Sequence, residues 1–126
     1  MDRLIRVRAE VSYIPEDSEP KQNRFLFAYK IFITNEGKEA AQLLSRHWII
    51  TNSLGESRDV VGEGVVGLQP VIEPGETFEY SSFCPLETSH GSMRGAYEMQ
   101  LPSGERFVVE IPSFELMMPR SLRLVH

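Results

Sequence analysis

Gly62-Glu63-Gly64-Val65-Val66-Gly67 spells G-x-G-x-x-G, the spacing with which dinucleotide-binding proteins bring backbone amides up to a pyrophosphate. That chemistry needs a buried strand before the glycines and a helix after them whose N-terminus faces the phosphates. Here Leu68, Gln69 and Pro70 follow, then Pro74 and Gly75, and no helix of useful length fits. Asp59 and Glu63 would repel phosphate, and no Gly-Lys-Ser/Thr follows to make a P-loop. Closely spaced glycines in a β protein instead permit a positive φ, a bulge or a close backbone approach. A loop of this kind can still hold an anion on converging N–H groups. Gly62, Gly64 and Gly67 are therefore the candidate anion- or ligand-binding residues, with Arg46 as counter-charge.

Arg46 and His47 precede the single tryptophan, Trp48. Strand alternation turns His47 away from Trp48, and His47 is the candidate partner contact. The competing reading makes both ordinary strand residues, with Arg46 lying along an aromatic neighbour. His47, His90, His126 and Cys84 are the residues able to ligate a soft metal, but Cys84 and His90 are six residues apart, a spacing with no ligand signature. Cys84, between Phe83 and Pro85, reads as a small buried hydrophobe, and Glu16-Asp17 as a solvated pair. No metal site and no cofactor are expected. There is no G-x-S-x-G elbow and no H-E-x-x-H. His90-Gly91-Ser92 has the residue types of a base and a nucleophile, but adjacency in a turn is not a triad. No catalytic residue is assigned.

The elements that must position these residues alternate with period two. Ile5, Val7, Ala9, Val11 and Tyr13 share one face of a half-buried strand. Pro15 to Arg24 is a polar loop. Phe25 to Thr34 is apolar on both faces, as in a central strand, and Asn35-Glu36-Gly37 supplies a turn. Lys38 to Leu44 could form a short turn. In Leu43 to Asn52, Leu44, Trp48 and Ile50 are expected on one face and Ser45, His47 and Thr51 on the other. Thr77 to Phe83 reads as a strand with Phe78 and Tyr80 inward. Met93, Tyr97, Met99 and Leu101 share the face of the next, and Pro102-Ser103-Gly104 closes a hairpin onto Phe107, Val109 and Ile111. Helical periodicity is absent. Short strands with regularly spaced turn signals predict an all-β fold, a single immunoglobulin-like or fibronectin type III-like β-sandwich over residues 1–126. The apolar tail, from Phe114, Leu116, Met117 and Met118 to Leu122, Leu124 and Val125, supplies part of the last strand. The rest could cover an edge or pack on a second copy, so a homo-oligomer is left open.

The chain has 126 residues, enough for one domain, and is 41% hydrophobic with a net charge of −5. The acidic balance argues against nucleic acid as partner. One cysteine fits a reducing compartment. The alternating N-terminus lacks a signal-peptide apolar core, and no stretch reaches the ~18–20 apolar residues of a membrane span. A cytoplasmic protein with no membrane partner is expected.

Ser45-Arg46-His47-Trp48-Ile49-Ile50-Thr51, Gly62 to Pro70, and Pro74-Gly75-Glu76 together resemble the signature of the ApaG family, also called CorD. Gly91-Ser92-Met93-Arg94-Gly95-Ala96-Tyr97 and Phe107-Val108-Val109-Glu110-Ile111-Pro112 continue the pattern, which runs from about Val7 to Pro119. The resemblance implies a fibronectin type III-like sandwich and a link by phenotype to cobalt resistance and magnesium efflux. Related domains in an F-box protein and a polymerase-delta-interacting protein imply protein binding. It implies no catalytic residues. The expected function is a small non-enzymatic binding module with a protein partner. The alternative is a ligand-binding domain for a phosphate-containing small molecule or divalent cation at the Gly62–Gly67 loop.

Overall fold

A computed structural model describes residues 4–123. Eight strands run in the order β1 (Ile5–Tyr13), β2 (Phe25–Asn35), β3 (Ala41–Asn52), β4 (Ser57–Glu63), β5 (Val71–Ile72), β6 (Thr77–Leu86), β7 (His90–Gln100) and β8 (Arg106–Met117), followed by one helical turn, α1 (Arg120–Arg123). They form two antiparallel sheets, one ordered β1-β2-β6 and the other β4-β3-β7-β8, with β5 also on β3. This is the expected immunoglobulin-like, fibronectin type III-like β-sandwich.

β2 is central in its sheet, and the reason is legible in its residues. Phe25, Phe27, Tyr29, Ile31 and Ile33 all point inward and are buried. The opposite face is half-buried, with Arg8 lying 4.1 Å over the Phe32 ring. Trp48 is the hub of the inter-sheet space. Its ring meets Tyr29 at 5.6 Å, Phe114 at 5.8 Å and Tyr97 at 6.4 Å between centroids, each edge-on, the arrangement that aromatic quadrupoles favour. Cys84 is buried, as expected of a small hydrophobe.

Two bulges break the period-two pattern where strict alternation would mislead. In β3 the register shifts between Leu43 and Ser45, so Leu44 is the extra residue. Leu43 is fully buried and Leu44 only half-buried, which corrects the inward placement expected for Leu44. The bulge returns Arg46, Trp48 and Ile50 to the inner face. In β8, Pro112 and Ser113 lie opposite Arg94 alone, so Ile111 and Phe114 can both face the core.

Other differences follow from pairing. Ser57–Glu63, unassigned from its polar sequence, is an edge strand held by β3 from Thr51↔Ser57 to Ser45↔Glu63. The polar loop contains two short 3₁₀ turns, Pro15–Asp17 and Pro20–Gln22. Lys38 and Glu39 form a bend and the strand starts at Ala41. His90-Gly91-Ser92 opens β7 and is not a turn. The tail is strand through Met117, while Leu124, Val125 and His126 lie outside the described residues.

Candidate functional site

The glycine segment is half strand and half turn. Gly62 is the last but one residue of β4, opposite Arg46 in the ladder. Beyond Glu63 the chain leaves β4, turns, and rejoins the same edge of β3 as β5. The Leu44 bulge lies between the two pairings and frees its carbonyl for the loop. That oxygen accepts the Gly64 N–H at 2.8 Å and the Gln69 side-chain amide at 2.8 Å. Val65 and Leu68 then exchange backbone hydrogen bonds of 2.8 and 2.9 Å around Val66-Gly67. Both turn residues have positive φ, 42° and 81°, as a type I′ turn requires. A β-branched residue in that region is a genuine outlier. Val65 is fully buried and pins the loop to the core.

The three glycines therefore have different tasks. Gly64 has φ +64°, and a Cβ there would collide with the Leu68 carbonyl oxygen. Gly62 needs no unusual backbone angle; it leaves room for the Arg46 guanidinium, which a Cβ would meet at 2.8 Å. Gly67 shapes the turn and faces open space. Arg46 Nη1 donates to the carbonyls of Glu63 at 3.1 Å and Gly64 at 2.9 Å. The fold thus brings Gly62, Gly64 and Arg46 to one place, with Gly67 at the tip. The amides of Gly64, Val65 and Leu68 are already spent on the loop's own carbonyls and that of Leu44.

Arg46 also lines a cleft of about 220 Å³ on the side where the two sheets part. On the edge strand β4, Arg58 and Val60, on the same side as Gly62, remain exposed. Arg58 reaches across to β6, donating from Nη2 to the Pro85 carbonyl at 2.7 Å. Tyr29 and Ser82 face each other in the β2–β6 ladder and share a side-chain hydrogen bond. Tyr80 and Tyr97 hydrogen-bond to each other across the sheets. Burial pushes the ionisation of all three tyrosines upward, and the positive charge of Arg46 pulls each partly back. Burial likewise raises the Cys84 thiol, against the opposing effect of Arg58.

His47 faces the other way, on the outer surface of the five-stranded sheet. Its Nε2 lies 2.7 Å from the Asp59 carboxylate. A recess of about 360 Å³ opens beside it, floored by Gly95 and Ala96 and walled by Arg94, Val108, Glu110 and Pro112. Gly95 carries no side chain because a Cβ would collide with the His47 carbonyl. Sequence reading missed this recess and also Arg58. The available signal for Arg58 was its shared parity with Val60 and Gly62. The recess had none, because it depends on the β8 bulge. His90 is exposed at the start of β7 and Cys84 is buried in the cleft wall. No group of three or more His, Cys, Asp or Glu able to hold a metal occurs among the described residues. Nor is any helix among them long and apolar enough to cross a membrane.

Residues 15–101 match the model of the ApaG domain. The chain is 55% identical over 117 residues to Protein ApaG of Bdellovibrio bacteriovorus, covering 93% of this chain and 92% of that protein. It is 47% identical over 124 residues to Protein ApaG of Bradyrhizobium diazoefficiens, covering 98% and 95%. The crystal structure of a protein from Bordetella pertussis, described as putative ApaA, superposes with a TM-score of 0.89 at 49% identity, covering 92% of this chain and 94% of that one. With a matching domain model and relatives of about half identical sequence over nearly its whole length, the chain belongs to the ApaG family.

Proposed function

We propose that the protein is a small cytoplasmic, non-enzymatic interaction module that engages a protein partner through the outer face of its five-stranded sheet, around His47. One observation carries this reading: the recess beside His47. Small residues floor it, while Val61 and Val108 stand 71% and 67% exposed on the strands to either side. A socket with a small-residue floor and apolar shoulders suits one anchoring side chain of a partner, the arrangement in which interface energy concentrates. The His47–Asp59 pair and Glu110 supply a polar rim. An anion cradle at Gly62, Gly64 and Gly67 has less support, because the loop's amides are engaged internally. Cobalt resistance and magnesium efflux would then follow from the partner and not from a cation bound here.

The test is cross-linked capture from cell extract with wild type, Ala96→Arg and Arg58→Gln. Ala96→Arg fills the recess from an outward-facing position and should abolish capture of one dominant partner. Arg58→Gln should leave capture intact. Equal recovery with Ala96→Arg, or nothing above background with wild type, overturns the reading.

A further inference from the structure

The cleft between β4 and β6 combines features that the interaction face does not use. It receives two guanidiniums, from Arg46 and Arg58, and no carboxylate lines it. This is unusual in a chain with 18 acidic against 13 basic residues. Glu87 feels Arg58 but lies outside the cleft lining, its carboxyl held down chiefly by its own backbone amide and the Asn52 amide. Arg46 is half-buried and Arg58 exposed, so an anion entering the cleft competes with water for their free donors. Carbonyls occupy part of each fork: both Arg46 bonds use Nη1, and the Arg58 carbonyl bond uses Nη2. A guanidinium carries five N–H donors, so these bonds leave the greater part of each fork for another acceptor.

The remaining walls are suited to the same ligand. Tyr29 and Ser82 share one hydrogen bond, which leaves the pair one hydroxyl hydrogen to donate, and Trp48, Val60 and Met93 supply an apolar floor. Gly62 keeps the Arg46 guanidinium flat against β4 and so holds the cleft open. We propose that this cleft binds a small oxyanion, the carboxylate or phosphate group of a small molecule, clamped between Arg46 and Arg58 with the Tyr29–Ser82 hydroxyl pair as a further donor. The site is distinct from the glycine loop, to which it is joined only through Arg46, and lies on the opposite face of the sheet from His47. Forked guanidiniums recognise both carboxylate and phosphate with paired hydrogen bonds, so the geometry defines the class and solution measurement separates the two members.

The test is a titration of isotope-labelled protein, following backbone amides and the Trp48 indole N–H by NMR. Inorganic phosphate, pyrophosphate and malonate are the probes, with sodium chloride at matched ionic strength as reference. Saturable shifts at Trp48, Arg46, Arg58 and Ser82 are expected with at least one probe. Response to the phosphates alone identifies a phosphate ligand; response to malonate alone identifies a carboxylate. Arg58→Gln should weaken the response about tenfold or more, as losing one charge-assisted hydrogen bond does. Because Arg46 also braces the loop, Arg58→Gln and Ser82→Ala are the decisive variants, with amide dispersion checking that each folds. No saturable shift with any probe beyond the chloride reference overturns the proposal. So does a saturable shift that Arg58→Gln leaves unchanged.

Discussion

Arg46 lies flat over Gly62, its ladder partner on β4, so closely that a methyl group on Gly62 would stand 2.8 Å from both terminal nitrogens. The glycine here serves a side chain across the sheet and not its own backbone. The same guanidinium holds the carbonyls of Glu63 and Gly64, so the edge strand, the loop and the inter-sheet cleft meet at one residue.

The three glycines should accordingly separate in stability. Gly64→Ala combines positive φ with a backbone collision and is expected to exceed about 3 kcal/mol. Gly67→Ala faces open space and should lose about 1–2 kcal/mol from φ alone. Gly62→Ala meets only the end of a flexible side chain and should lose about 1 kcal/mol or less while displacing Arg46. Urea unfolding orders them; Gly64→Ala proving no worse than Gly67→Ala would contradict the assignment.

Val66 holds φ +42° on the surface of a type I′ turn. Asn-Gly is the pair that turn prefers, so Val66→Asn should stabilise the fold by about 1 kcal/mol. A thermal midpoint unchanged or lowered by the substitution would show that the turn does not carry the strain its angle indicates.

Stability should decline on the alkaline side. The folded-state ionisation of Tyr29, Tyr80 and Tyr97 is raised by burial, so the folded protein retains these protons where the unfolded chain releases them. Their contribution is complete below the unfolded value of about 10 and is lost as pH rises above it. The phenolate absorbance of these three tyrosines should appear together with the loss of the folded circular dichroism. Ionisation of Tyr29, Tyr80 and Tyr97 in a protein that keeps its folded circular dichroism would refute this.

Cys84 is buried and its thiol is raised by that burial, so it should react with a thiol reagent only when the sandwich opens. Labelling at neutral pH should be slow in buffer and rapid in denaturant; equally fast labelling in both would place the thiol at the surface.

The exposed His47–Asp59 pair, 46% and 59% accessible, should contribute little to folding. His47→Gln is expected to change stability by less than about 0.5 kcal/mol, while capture of the partner should fall. A large loss of stability would assign the pair to the scaffold.

Much of the scaffold was legible along the chain. Phe25 to Thr34 is apolar on both faces, which gives its central place, while packing decided that Phe25, Phe27, Tyr29, Ile31 and Ile33 are the ones that turn inward. Trp48 inward and His47 outward follow from the same rule. The rule fails at Leu44, where one extra residue shifts parity, and near Pro112-Ser113, where two residues face one. Ser57–Glu63 offers no clean alternation because its inward side opens onto the cleft, so its strand state comes from β3.

The sequence by itself determined the all-β class, most inner faces and the family, because alternation and motif order are properties of neighbouring residues. It also singled out Arg46 and the glycines. Only the tertiary structure decided what they do. Arg46, Arg58 and Ser82 come from three strands and two sheets, and they line one cleft because β4 of one sheet meets β6 of the other there. Likewise the amides of Gly64 and Val65 are engaged because Leu44 bulges and Leu68 folds back. Such pairings depend on long-range strand packing, and no local pattern encodes them.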